Sequence, residues 1–155
     1  MTGLELGSPA PDFTLRDQFG QDVNLSSYRG EKAMAIVFFP YAFSGVCTGE
    51  MAGIRDRLAE LMTFGSEVLA VSCDPVYSMR AFADADGLNF PLLSDFWPHG
   101  QVASAYGVFD ADRGCARRST FIVDRRGDVR WSVHNAMPEP RDLAELVEAV
   151  RTLGA

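Results

Sequence analysis

Apolar residues along the chain follow two rhythms, short continuous runs and stretches where they return every third or fourth position. Met34 to Phe39 is a near-continuous apolar run, the pattern of a strand covered on both faces, and Pro40 closes it. From about Ser44 to Thr63 the residues Met51, Ile54, Leu58 and Leu61 recur at helical spacing. Val68 to Ser72 predicts a second buried strand, and Asp74-Pro75 opens a helix through Phe82 that stops near Gly87. Phe90 to Leu93 predicts a short third strand, and His99 to Tyr106 a short helix halted by Gly107. Ser119 to Val123 and Val129 to Val133, joined by Asp124-Arg125-Arg126-Gly127, predict a β-hairpin. A final helix begins near Glu139 and carries Leu143, Leu146, Val147, Val150 and Leu153 on one face. Pro140 and Asp142 suit its start and Gly154 its stop. Ahead of these elements, Phe13-Thr14-Leu15 and Val23-Asn24-Leu25 flank Gly20 as a small N-terminal β-hairpin. Strand and helix alternate without a Pro/Ser-rich linker or an internal repeat. That order predicts one α/β domain over residues 1–155, a central mixed β-sheet flanked by helices.

Composition narrows the range of functions. The chain has 155 residues, 47% apolar and 23% charged, close to an ordinary globular domain. Its formal net charge of -7 argues against nucleic acid as a partner, which would require a basic face. Lys32 is the single lysine, and the arginines are scattered rather than clustered. Met1 to Pro11 has neither a basic start nor an apolar run, so no targeting segment is expected. The longest apolar stretch, Ala33 to Phe39, is too short to span a bilayer, and no membrane partner is expected. Cys47, Cys73 and Cys115 are too few, and odd in number, for a secreted disulfide framework. The expected location is therefore cytoplasmic, where thiols persist. His99 and His134 lie far apart with no ligand-type cluster around them, so no metal site is expected.

The chemistry concentrates in Phe38-Phe39-Pro40-Tyr41-Ala42-Phe43-Ser44-Gly45-Val46-Cys47-Thr48-Gly49-Glu50. A buried strand leads through a loop into a helix, and Cys47 lies in the first turn. Ligands of open α/β sheets bind beyond the carboxyl ends of strands, where this loop lies. The unpaired N–H groups and positive dipole end of the helix favour an anion there, so a thiol at Cys47 is expected to ionise readily. Pro40 has no N–H to offer and would shield a thiolate from water, while the Ser44 hydroxyl can donate toward the site. Taken without its neighbours, Cys47 is equally compatible with a small apolar residue on a buried helix face.

Pro40, Ser44, Cys47 and Glu50 match the peroxiredoxin pattern Pro-x-x-x-Thr/Ser-x-x-Cys with its frequent following Glu. Ala10-Pro11-Asp12-Phe13-Thr14-Leu15 resembles that family's entry hairpin, and Phe90-Pro91-Leu92-Leu93-Ser94-Asp95 the segment after its third strand. Arg118-Ser119-Thr120-Phe121-Ile122-Val123-Asp124 resembles the strand carrying the family's active-site arginine. With Phe96-Trp97-Pro98-His99-Gly100 added, the chain is most similar to the one-cysteine alkyl hydroperoxide reductase E class. The resemblance implies a thioredoxin-like fold. It also implies a thiol-dependent peroxidase acting on hydrogen peroxide, organic hydroperoxides and peroxynitrite, with no cofactor beyond the sulfur itself. Cys47 would attack the terminal peroxide oxygen and become a sulfenic acid. Arg118 would sit beside the thiolate and donate to the peroxide; Arg117 is its rival for the inward position, since alternation turns only one of them to the site. Glu50 would hold an arginine in place, or else be an ordinary acidic residue in a first helical turn.

Lowering a thiol's pKa gains thiolate but weakens the nucleophile by a comparable factor. Acceleration is then expected mainly from donors aimed at the leaving oxygen, Arg118 and Ser44 foremost. Position 52 is Ala and no cysteine follows Cys115, so neither common arrangement of a second, resolving cysteine is met. Cys73 reads as a packed thiol at a strand end, and Cys115 as an exposed loop residue whose alternative reading is a resolving or mixed-disulfide partner. A one-cysteine cycle follows, with an external thiol reductant, either a glutaredoxin-like protein with a small thiol or thioredoxin. Phe43, Phe96, Trp97 and Phe109 read as core aromatics, although the resemblance implies a homodimer with aromatic anchors near the site. A Cys-x-x-Cys disulfide reductase is disfavoured, because Ser44 and Glu50 stand three residues before and after Cys47. A peroxide sensor that oxidises once and signals to a partner uses the same thiol and stays open.

Overall fold

The computed structural model describes residues 4–153. Ala33–Phe38 (β3) is buried at every position, and its alternate side chains enter two different cores. Ala35 and Val37 face one core, with Phe39 just beyond the strand, while Met34, Ile36 and Phe38 face the other. This is why the run is apolar throughout rather than alternating.

A seven-stranded sheet forms around β3, in the order β2-β1-β5-β4-β3-β8-β9. Its strands are Thr14–Arg16 (β1), Asp22–Asn24 (β2), Ser66–Ser72 (β4), Leu92–Ser94 (β5), Arg118–Val123 (β8) and Val129–Asn135 (β9). β3, β4 and β5 run parallel, whereas β8, β9 and the β1–β2 hairpin pair antiparallel, so the sheet is mixed. Gly45–Thr63 (α1), Val76–Asp86 (α2) and Leu143–Leu153 (α4) cover one face, through Met51, Ile54, Leu61, Met79, Phe82, Leu146 and Val150. The short Gln101–Ala105 helix (α3), Tyr106 and the N-terminal residues Ala10 and Phe13 cover the other. α2 stops at Gly87, whose φ of 63° lies in the left-handed region that glycine adopts without strain.

Three expectations need correction. The last helix begins at Leu143, not near Glu139. Asp142 caps it by accepting the Glu145 N–H at 3.1 Å, and the backbone N–H of Arg141 is committed elsewhere, to Glu50. Pro140 therefore lies outside the helix, and Gly154 lies outside the described residues. Cys115 is not an exposed loop residue, because Phe109–Asp110 (β6) and Cys115–Ala116 (β7) form a small hairpin that buries it completely. Phe43, Phe96 and Trp97 are not core residues; they are exposed, and only Phe109 is partly covered.

Candidate active site

The carboxyl end of β3 delivers the chain into the segment 39–44. Phe39 still donates its N–H to Val71 at 2.9 Å, and the buried Pro40, which has no N–H, ends the ladder. The loop is then fastened on two sides. Asp74, just past β4, accepts the Ala42 N–H at 2.8 Å and the Ser72 hydroxyl at 2.6 Å. The Tyr41 hydroxyl donates to the Arg113 carbonyl at 3.0 Å, tying the loop to the β6–β7 hairpin. Phe43 takes a positive φ of 69°, a strained conformation for a side-chain-bearing residue, immediately before the helix. Such strain persists only where the surroundings hold it, and here the two anchors do so.

Ser44 is the N-cap of α1, its hydroxyl oxygen accepting the Cys47 N–H at 3.3 Å. That bond uses an acceptor lone pair and leaves the hydroxyl proton free to donate. Cys47 follows in the first turn and is fully buried. One turn further, Glu50 lies on the same face, as the three-residue spacing requires.

Arg118, the first residue of β8, is buried with Cys47, whereas Arg117 points to solvent. Arg118 Nη1 donates to the Cys47 Sγ at 3.4 Å and also to Glu50 Oε1, and its Nε donates to the Met137 carbonyl at 3.0 Å. Among the described residues, no acceptor engages Nη2. A second guanidinium, that of Arg141, completes the group. Its Nη1 donates to Glu50 Oε1 at 2.9 Å, its backbone N–H to Glu50 Oε2 at 2.7 Å, and its Nε to the Thr120 hydroxyl at 2.8 Å. Nη2 reaches the Ser119 carbonyl at 3.3 Å. Burial pulls the Arg141 guanidinium down to about 10, with Glu50 opposing and Arg118 adding to the fall, so it stays charged at neutral pH. The result is one buried carboxylate between two buried guanidiniums, with a thiol against one of them.

This arrangement can hold an anionic sulfur in a dry setting, with an arginine fork beside it to receive charge from a small reactant. Residues 6–132 match the AhpC/TSA family. The chain belongs to the AhpC/TSA family of peroxiredoxins.

Among its relatives, alkyl hydroperoxide reductase E of Mycobacterium tuberculosis is 47% identical over 98% of this chain and 99% of the relative. Putative peroxiredoxin sll0755 of Synechocystis is 33% identical, over 97% of this chain and 78% of that protein. The crystal structure of Enterococcus faecalis AhpC superimposes with a TM-score of 0.87 at 31% identity, covering 98% of this chain and 92% of that one. Peroxidoxin BcpB from M. tuberculosis gives a TM-score of 0.84 at 27% identity, covering 98% and 97%. The architecture of this peroxiredoxin is accordingly thioredoxin-like, as the family resemblance implies.

Cys47, Ser44, Glu50 and Arg118 converge, and Pro40 lies buried in the loop that introduces them. Sequence reasoning missed Arg141, Asp74 and Tyr41. Arg141 joins Glu50 across 91 positions, and among so many scattered arginines nothing local marks it. In sequence, Asp74 marks only the start of a helix. Its neighbour Ser72 is the one signal available, a polar residue directly after the apolar run Val68 to Val71.

Proposed function

We propose that Cys47 carries the thiol-dependent peroxidase activity of this peroxiredoxin, with Arg118, Ser44 and Pro40 as its immediate partners and Glu50 as the residue that positions Arg118. The carrying observation is the Arg118 Nη1 contact to the Cys47 Sγ at 3.4 Å, in a group whose other members restrain that guanidinium. The thiolate attacks the terminal oxygen of a peroxide, an S–O bond forms as the O–O bond breaks, and water or an alcohol departs once protonated. The uncommitted Nη2 of Arg118 and the Ser44 hydroxyl proton are the donors available to the two peroxide oxygens. Pro40 leaves no backbone donor to compete for the sulfur. Because Cys47 is fully buried, its sulfur reacts in a setting that excludes bulk water.

An external thiol then displaces water from the sulfenic acid, and a second thiol releases the resulting mixed disulfide. A glutaredoxin-like protein with a small thiol, or thioredoxin, fits that part. Hydrogen peroxide, organic hydroperoxides and peroxynitrite form the substrate range, and the cytoplasm is the setting that keeps the thiols reduced. A homodimer is supported by exposed aromatic surface, where Tyr77, 86% exposed, and Trp97, 81% exposed, line one groove with Phe96.

The test is peroxide consumption with excess small thiol, comparing wild type with Cys47→Ser. Many turnovers per wild-type chain and none in the variant are expected. Turnover by Cys47→Ser would overturn the assignment, and a single stoichiometric event in the wild type would favour a sensor instead.

A further inference from the structure

The segment 40–44 that delivers the Ser44 cap has few backbone ties of its own. Pro40 has no N–H, and the Ser44 N–H only closes a turn onto the Tyr41 carbonyl at 3.4 Å. Among the described residues, the Ala42 N–H is the one backbone donor of the segment bonded outside it, at 2.8 Å to Asp74 Oδ2. The same oxygen takes the Ser72 hydroxyl at 2.6 Å, and the Asp74 N–H returns to that hydroxyl at 3.3 Å. The Asp74 carbonyl accepts the Ser94 hydroxyl at 2.6 Å, and the Asp95 N–H reaches the Ser72 carbonyl at 2.8 Å. Asp74 is therefore fixed from the carboxyl ends of both β4 and β5. Next after Ala42 comes Phe43, at its positive φ of 69°, with its ring 5.1 Å from that of Phe82 in α2. The Tyr41 tie to Arg113 lies at the far end of the segment, so the corner between β4 and α2 is what holds the strained residue. Ser44 follows it directly.

We propose that Asp74 is a positioning residue for the peroxidase reaction, holding Ser44, through the Ala42 N–H, where its hydroxyl donates to the peroxide. This rests on the reading of Cys47 as the attacking sulfur and of Ser44 as a donor to the substrate. A side-chain-bearing residue at positive φ keeps that conformation only under restraint. When the Ala42 bond is lost, Phe43 relaxes toward ordinary backbone and Ser44 turns with it. Ser44 has two tasks, since its oxygen accepts the Cys47 N–H while its proton is left for the substrate. The second task depends on aim, and a misplacement of about 1 Å costs about 10²-fold in rate. Asp74 acts through shape. One oxygen, Oδ2, takes both bonds, so a neutral amide carbonyl in its place keeps them and a methyl group does not.

The experiment compares two rates in each variant. One is oxidation of Cys47 by hydrogen peroxide, followed by stopped-flow tryptophan fluorescence. The other is alkylation of Cys47 by iodoacetamide, read by peptide mass, which needs the thiolate but not the donors to the peroxide oxygens. Asp74→Ala is expected to lose about 10–100-fold in the peroxide rate with little change in alkylation, and Asp74→Asn to recover most of that loss. In a Ser44→Ala background there is no hydroxyl to aim, so adding Asp74→Ala costs little more. Asp74→Ser, too short to reach Ala42, takes the place of Asp74→Ala if that protein does not fold. A wild-type peroxide rate in Asp74→Ala would overturn the proposal. So would an equal fall in both rates, or losses that simply multiply in the double variant. If Ser44→Ala is oxidised as fast as the wild type, or the wild type is not oxidised at Cys47, the underlying reading of the site fails and the proposal falls with it.

Discussion

Replacing Glu50 by Gln tests whether the buried ion group organises the site. Glu50 Oε1 takes Nη1 of both Arg118 and Arg141, and Oε2 takes the Arg141 backbone N–H. Both ion pairs lie among side chains 2–3% exposed. Gln keeps the shape and one carbonyl oxygen, but it presents an NH2 group where another acceptor is needed. It also leaves two guanidiniums unneutralised in a dry interior. Removing one partner of a buried pair costs about 3–5 kcal/mol. For a domain of this length each kcal/mol moves the thermal midpoint by about 2–4 °C, so a fall of about 6–20 °C is expected.

Urea unfolding followed by tryptophan fluorescence gives the free energy, and stopped-flow oxidation by hydrogen peroxide gives the rate, which should fall as Arg118 loses its anchor. Adding Arg141→Met to Glu50→Gln removes one of the orphaned charges. The double variant should therefore lose less than the sum of the singles, with a coupling of about 0.5–3 kcal/mol. A Glu50→Gln protein within about 1 kcal/mol of wild type, oxidised at the wild-type rate, would refute the reasoning.

Other outcomes follow from the same geometry. Arg118→Lys should slow oxidation of Cys47 by about 10²–10³, because a point charge cannot hold the sulfur, Glu50 and the Met137 carbonyl together; stopped-flow rates at several peroxide concentrations check it. Ser44→Ala should cost about 1 kcal/mol through the lost helix cap, and it should slow oxidation where Ser44→Thr does not. Burial holds the His134 imidazole below its ordinary 6.5, so the unfolded chain binds the extra proton and stability rises with pH up to about that value. Urea midpoints between about pH 5 and 7 should show that slope in the wild type and lose it in His134→Gln.

The sheet and the reactive turn are legible in sequence because their causes are local. The double-sided burial of β3 writes itself as an unbroken apolar run, and the Ser44 cap stands three residues before Cys47, where helix geometry needs it. Arg118 rather than Arg117 follows from strand alternation once a register is supplied. What stays hidden is non-local. Arg141 becomes part of the site only when the α4 approach packs against α1, and Cys115 is buried only because a four-residue turn folds β7 back on β6. The exposed aromatics mislead for another reason. A Trp or Phe looks the same in a string whether it fills a core or a surface awaiting a partner.

Charge counting explains why the site needs both arginines. Two guanidiniums and one carboxylate leave one formal positive charge buried beside the Cys47 sulfur. Such a surplus is costly in a dry interior unless an anion shares the space. In the peroxidase reaction negative charge moves from the sulfur to the departing oxygen, a displacement of one or two bonds. A cation fixed by Glu50, Met137 and the strand serves both ends of that movement without reorganising, as electrostatic stabilisation of a transition state requires. Replacing all three ionic side chains with apolar ones of equal volume need not destabilise the fold. The trio is therefore explained by what it does for charge in motion, and its contribution to stability is secondary.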